Sequence, residues 1–280
     1  MPRWMVNGRA LAGDGMPRIM GILNVTPDSF SDGGRYLDPS AAIDRAHRLV
    51  AEGADLLDVG GESTRPGSLP VAAAEQLRRI LPVIEASVRL GVPISVDTSD
   101  PLVARHALAA GAQIINDVRG LRDPALRTLV AETQASAVVM HMQGDPEIMQ
   151  RNPHYNDVVT EVRDWLQHQV EQAVAAGIPR THLAIDPGIG FGKTTAHNLA
   201  LIRQLDALAP IGCAILVGTS RKRFLGELTG RDLPDRLVPS VVSALAALAR
   251  GASIVRVHDV AATRDALQTW HALQPTEPLR

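Results

Sequence analysis

Cysteine is all but missing from this chain of 280 residues, where Cys213 stands alone. A single thiol excludes an intrachain disulfide and points to a reducing compartment, the cytoplasm. An excess of charge of one sign is missing as well, because 28 Lys and Arg set against 30 Asp and Glu leave a formal net charge of −2. That balance argues against the broad basic footprint that a nucleic acid or a membrane surface would require. Any anion bound here must therefore be met by local cations. No apolar run approaches the ~20 residues that span a bilayer, and the N-terminal stretch lacks a signal-peptide core. Paired cysteines, His-Glu-x-x-His and EF-hand spacing do not occur either, which argues against tightly held zinc or calcium.

Two tempting motifs fail on inspection. Gly188-Ile189-Gly190-Phe191-Gly192-Lys193-Thr194 has the look of a phosphate loop, but its first glycine would have to stand at Pro187. The dinucleotide fingerprint fails because its third glycine falls on Lys193. The segment instead reads as a loop whose glycines let it bend close to a pocket. Ser220 lies in Gly-Thr-Ser-Arg-Lys rather than in a nucleophile elbow, so a Ser-His-Asp hydrolase is disfavoured.

What is present is a repeating alternation. With 45% hydrophobic content the chain has enough apolar side chains for one sizeable core. Strand-length apolar runs occur at Ile19 to Leu23, Leu56 to Val59, Ile94 to Val96, Ile114 and Ile115, Ala137 to Met140, Leu183 to Ile185, Ala214 to Val217, and Ile254 to Val257. Helical patterns lie between them. One has Asp38 as N-cap, Pro39 at its first position, apolar Ala42, Ile43, Ala46, Leu49 and Val50, and Gly53 past its end. Strand-then-helix units with continuous apolar strands predict an α/β fold: a closed (β/α)8 TIM barrel occupying residues 1–280 as one domain, preceded by a short hairpin over Arg3 to Gly15. A doubly wound open sheet is the alternative arrangement. The stretch after Pro239 is small or apolar nearly all round, which is more than one-sided cladding needs, and suggests a homodimer contact.

Barrels of this kind carry their chemistry at the C-terminal ends of the strands. There the chain places Asn24, Gly60 to Arg65, Asp97, Asn116, His141, Asp186, Lys222, and Arg256 with His258. Residues two apart on a strand share a face, so Arg256 and His258 are expected to project together as part of an anion site. Ser95 and Ala184, below Asp97 and Asp186, are small enough to leave depth for a flat ring.

Taken in order, several segments resemble the dihydropteroate synthase family. They are Leu23 to Gly34, Asp58 to Gly67, Ser95 to Thr98, Ile115 to Asp117, Met140 to Gly144, Asp186 to Phe191, Ser220 to Lys222, and Arg256 to His258. The resemblance runs from about Gly21 to Val260. It implies a cytoplasmic transferase of folate synthesis that condenses 6-hydroxymethyl-7,8-dihydropterin diphosphate with p-aminobenzoate, with the help of magnesium. Asp97, Asn116, Asp186 and Lys222 would then meet the pterin edge, and Met142 and Phe191 would line its slot. Thr64, Arg256 and His258 would hold the diphosphate. Asn24 would be the protein ligand to Mg2+, and Phe30, Arg65 and Pro66 would cover p-aminobenzoate. Catalysis is expected to rest on Lys222, Arg256, His258 and Asp97, with sulfonamides competing for the aminobenzoate site. Arg223 stands where other members carry serine, which leaves the partner of the aminobenzoate carboxylate open.

Overall fold

A computed structural model describes residues 2–26, 39–63, 68, 70–145 and 148–273. The chain opens with a hairpin, β1 (Trp4–Val6) and β2 (Arg9–Ala12), turning at Asn7-Gly8. Eight strands follow: β3 (Arg18–Asn24), β4 (Leu56–Gly60), β5 (Ile94–Asp97), β6 (Ile114–Asp117), β7 (Ser136–Met140), β8 (Leu183–Asp186), β9 (Ala214–Val217) and β10 (Ile254–Val257). Each pairs in parallel with its sequence neighbour and β10 returns to β3, so the sheet closes and no edge is left. The open-sheet alternative is excluded.

The helices are α1 (Pro39–Ala51), α2 (Ala73–Ser87), α3 (Pro101–Ala109), α4 (Pro124–Thr133), α5 (Val158–Ala175), α6 (Thr195–Arg203), α7 (Arg223–Thr229), α8 (Leu237–Leu248) and α9 (Val260–Ala272). Their starts follow from local chemistry. The side chains of Asp100, Asp123 and Asp157 accept from first-turn amides, and Thr194 forms a capping box with His197. Within α1, Ala42, Ala46 and Leu49 are buried as their spacing predicts, while the expected cap Asp38 lies outside the described residues. None of the described helices is long and apolar enough to cross a membrane.

Strand parity builds two cores. Outward residues such as Val59, Val96, Ile115, Val139 and Ile185 join the helices in the larger one. Inward residues Met20, Leu56, Ile114, Val138, Ala184, Leu216 and Ile254 pack with Trp4, Val6 and Ala12 of the hairpin. The hairpin thus stoppers the N-terminal end of the barrel. Trp4 is fully buried and donates its Nε1 proton to the His182 carbonyl at 3.1 Å, and Ser136 Oγ donates to the Met5 carbonyl at 2.6 Å. Trp4→Ala is expected to cost about 3–5 kcal/mol of unfolding free energy, read from a denaturant melt, because it empties the stopper. An unchanged midpoint would show that the hairpin is dispensable.

Candidate active site

The apolar floor gives way to a polar layer one step along the strands. Two residues beyond Leu56, Ile114, Ala184 and Ile254 stand Asp58, Asn116, Asp186 and Arg256, and Asp97 holds the same relation to Ser95. Arg256 lies between two carboxylates, its Nε 2.6 Å from Asp58 Oδ2 and an Nη 2.9 Å from Asp97 Oδ2. Asn116 Nδ2 donates to the same Asp58 oxygen at 3.0 Å. Buried carboxylates require such partners. The second oxygens of Asp58 and Asp97 are buried without a hydrogen-bond partner, so the layer retains acceptor capacity.

Above this layer a cavity is lined on its polar side by Asp97, Asn116, Asp186, Lys222 and Arg256, and on its apolar side by Val118, Met140, Ile189 and Phe191. Lys222 Nζ stands 4.0 Å from the centroid of the Phe191 ring. Asp186 Oδ1 accepts from the Gly188 amide at 2.7 Å, which fixes the carboxylate plane. Burial raises the pKa of Asp186 against the pull of that amide and of Lys222. Burial likewise raises Asp97, although Arg256 opposes it. Lys222 is brought down to about 8 by burial, with Asp186 pulling the other way. The result is a flat apolar wall facing carboxylates, an amide and a lysine, which suits a planar heterocycle with donors along one edge.

Asp97, Asn116, Asp186, Lys222, Phe191 and Arg256 therefore meet in one cavity. Other expected residues are placed differently. Met142 is buried in a cluster with Val118, Met140 and Met149 behind the wall, and the wall position is Met140's. Arg256 and His258 have different partners: Arg256 reaches Asp58 and Asp97, whereas β10 ends at Val257 and His258 Nδ1 lies 3.1 Å from Ser220 Oγ. Neither Ser95 nor Ala184 lines the cavity, and Ala184 packs in the apolar floor. Asn24 ends β3 opposite Gly60, and a Cβ at Gly60 would stand 3.7 Å from its Oδ1, an ordinary contact. Arg223 is turned toward Glu227, 2.7 Å away on α7. Phe30, Thr64, Arg65 and Pro66 lie outside the described residues.

The family of pterin binding enzymes matches residues 20–258, a span that takes in all eight barrel strands almost completely. The chain belongs to this family. Dihydropteroate synthase of Neisseria meningitidis serogroup C is 49% identical to it over 271 residues, 95% of this chain and 96% of that protein. Xanthomonas albilineans dihydropteroate synthase, solved with 4-aminobenzoic acid, matches with a TM-score of 0.91 at 51% identity over 98% of this chain and 99% of that one. The Xanthomonas enzyme in complex with 7,8-dihydropteroate gives 0.88 at 48% identity, over 98% and 100%.

In this pterin-binding enzyme two charged residues outside the sequence-derived set stand in or beside the polar layer. Asp58 had a signal, since its parity with Leu56 and Gly60 on β4 aims it inward. Lys193 had none, because the glycine-rich segment before it carries no period from which its direction follows.

Proposed function

We propose that the chain is a dihydropteroate synthase, joining p-aminobenzoate to 6-hydroxymethyl-7,8-dihydropterin diphosphate with release of pyrophosphate. The observation that carries this reading is Asp186, a buried carboxylate oriented by the Gly188 amide and facing the same cavity as Lys222 and Phe191. A carboxylate so placed accepts from the 2-amino and N3 groups of a pterin. Asn116 commits one amide hydrogen to Asp58, which leaves its carbonyl oxygen and its second N–H for the ring edge. Lys222 donates to the pterin carbonyl or N5, and Asp97 accepts along the remaining edge.

Arg256 uses two of its five donors on Asp58 and Asp97, which leaves others for the diphosphate. His258, steadied by Ser220, contributes at the mouth, together with Thr64 from the second loop. Magnesium fits Asn24 as a single amide-oxygen ligand: no group of three His, Cys, Asp or Glu among the described residues is arranged to hold an ion, so most ligands would come from phosphate. When bound, the ion would neutralise charge building on the leaving group.

The reaction follows an ionisation route. The methylene carbon–oxygen bond breaks first and its electron pair departs with the diphosphate, toward Arg256. The resulting cation is conjugated with the pterin ring and lies near the buried carboxylates. The aniline nitrogen of p-aminobenzoate then attacks and releases its proton, so no protein nucleophile is needed. Formation of dihydropteroate with pyrophosphate from both substrates is the test of the function, and pyrophosphate release that p-aminobenzoate does not accelerate would overturn it. The route has its own test. Pterin diphosphate labelled with 18O in the bridging position should scramble that label without p-aminobenzoate, whereas strict retention would favour direct displacement.

Phe30, Arg65 and Pro66 complete the p-aminobenzoate pocket after the anion is in place. A sulfonamide should accordingly bind at least tenfold more tightly with pyrophosphate and magnesium present, and equal affinity for the free protein would refute this order. The assembly is a cytoplasmic homodimer. It pairs through the outer face of α8, where Leu237, Val238 and Val242 are exposed at 42%, 69% and 59%. Val238→Asp should yield a monomer by light scattering.

A further inference from the structure

We propose that Lys193 is a positioning residue for pterin recognition, fixing Asp186 and Phe191 from behind the loop that joins them. The inference rests on the pterin reading of the cavity. Lys193 is 3% exposed and does not line the cavity, so its effect must pass through other residues. Its Nζ donates to the Phe191 carbonyl at 3.0 Å and lies 2.9 Å from His141 Nδ1. Burial holds the His141 pKa down to about 2, with Lys193 adding to the effect, so the ring is neutral. An ammonium has no lone pair, so Nδ1 accepts and the ring proton sits on Nε2. The ring is itself held edge-on to Trp165, with centroids 5.0 Å apart.

The loop is also held from outside: Gln150 Nε2 and the Tyr155 hydroxyl donate to the Gly190 and Gly192 carbonyls at 2.6 and 2.9 Å, and the Gly190 amide donates to Asn198 Oδ1 at 2.8 Å. A Cβ at Gly188 would fall 1.8 Å from the His141 carbonyl oxygen, and one at Gly192 would fall 2.5 Å from that of Gln143. Both residues have positive φ, +67° and +62°, so the backbone of the loop is pressed directly on residues 141–143 without intervening side chains. Lys193 pins this contact from its far end, through His141. Phe191, whose carbonyl the lysine holds, supplies the flat wall beneath Lys222, and Asp186 begins the loop.

Charge gives the pin a second effect. The titratable groups within electrostatic reach of the Lys193 ammonium are His141, His197, Asp186 and Lys222. Burial lowers its pKa to about 7 while Asp186 opposes that shift, and Lys193 in turn favours the ionised Asp186 that a pterin needs. Lysine-to-methionine exchange keeps the length and removes both the donor and the charge.

The test is calorimetric titration of Lys193→Met and, independently, His141→Leu with 6-hydroxymethylpterin across the acid range, and with pyrophosphate plus magnesium. We expect each variant to lose about tenfold or more in pterin affinity while pyrophosphate affinity stays within about twofold. In Lys193→Met the acid limb of pterin binding should also move to higher pH. Unchanged pterin affinity and an unmoved limb would overturn the proposal, and so would a parallel loss of pyrophosphate binding, which would mark general damage. If Lys193→Met does not fold, His141→Leu decides by the affinity criterion. A wild-type protein that binds pyrophosphate but no pterin would instead overturn the pterin reading, and the lysine's role with it.

Discussion

Arg256→Ala is expected to cost both stability and turnover, and more of each than His258→Ala. The guanidinium is the cation that Asp58 and Asp97 share, and their side chains are 0% and 6% exposed. Removing one partner of a buried ion pair costs about 3–5 kcal/mol, because the remaining charge is left without compensation or must take up a proton. Here two carboxylates would be stranded. The diphosphate would lose its always-charged donor as well, and a charge-assisted contact of about 1.5–3 kcal/mol corresponds to at least about tenfold in catalytic efficiency. His258 contacts Ser220 beyond the strand end, so its loss leaves the polar layer intact. The two costs of Arg256→Ala are separable. Adding Asp58→Asn removes one stranded charge and should recover part of the melting temperature while leaving turnover low. Thermal melts and steady-state kinetics on both proteins decide the matter, and wild-type values for Arg256→Ala would remove this residue from the site.

Asp186→Asn should abolish turnover chiefly through pterin binding. The amide can keep the Gly188 contact with its oxygen, which turns its NH2 toward a substrate donor. Leaving that buried group mispaired costs roughly 1–3 kcal/mol, and more when the acceptor was charged. The wild type should also show an acid limb. Burial raises the Asp186 pKa, the ionised form is the one that accepts from the pterin, and affinity therefore falls as the pH drops through this raised range. Asp97, raised by burial as well, contributes to the same limb. Titration of the variant should show weak binding and a shallower limb. A variant that binds the pterin as tightly as the wild type would remove Asp186 from the recognition edge.

The eight strands were legible because each is a short apolar run that ends in a polar or glycine-bearing stretch, and parallel strands buried on both faces leave that trace. The polar layer was mostly legible for the same reason, since Asp97, Asn116, Asp186 and Arg256 close their strands or nearly so. Parity failed where strands stop. His258 is paired with Arg256 by carrying the alternation of β10 past Val257, whereas Met142 comes to the slot wall only from the family resemblance. The hairpin was visible as a hairpin but not as a stopper, because its anchor joins Trp4 to His182, 178 residues away. Arg256 read as a free anion ligand because the carboxylates that hold it lie 198 and 159 residues distant, and only closure of the barrel brings them together.

The stoppered end of the barrel imposes a traffic rule on the proposed reaction. With Trp4, Val6 and Ala12 filling one end, the described residues leave the polar well open at the other end alone. A dead-end well behaves as a stack: what enters first sits deepest and departs last. The pterin must precede p-aminobenzoate, and the pteroate made from both must withdraw along the path its pterin half took in. Pyrophosphate, formed nearer the rim, is free to leave before or after it. A fresh pterin that arrives before the product has gone is therefore kept waiting, so accumulated product should compete with pterin diphosphate rather than with p-aminobenzoate.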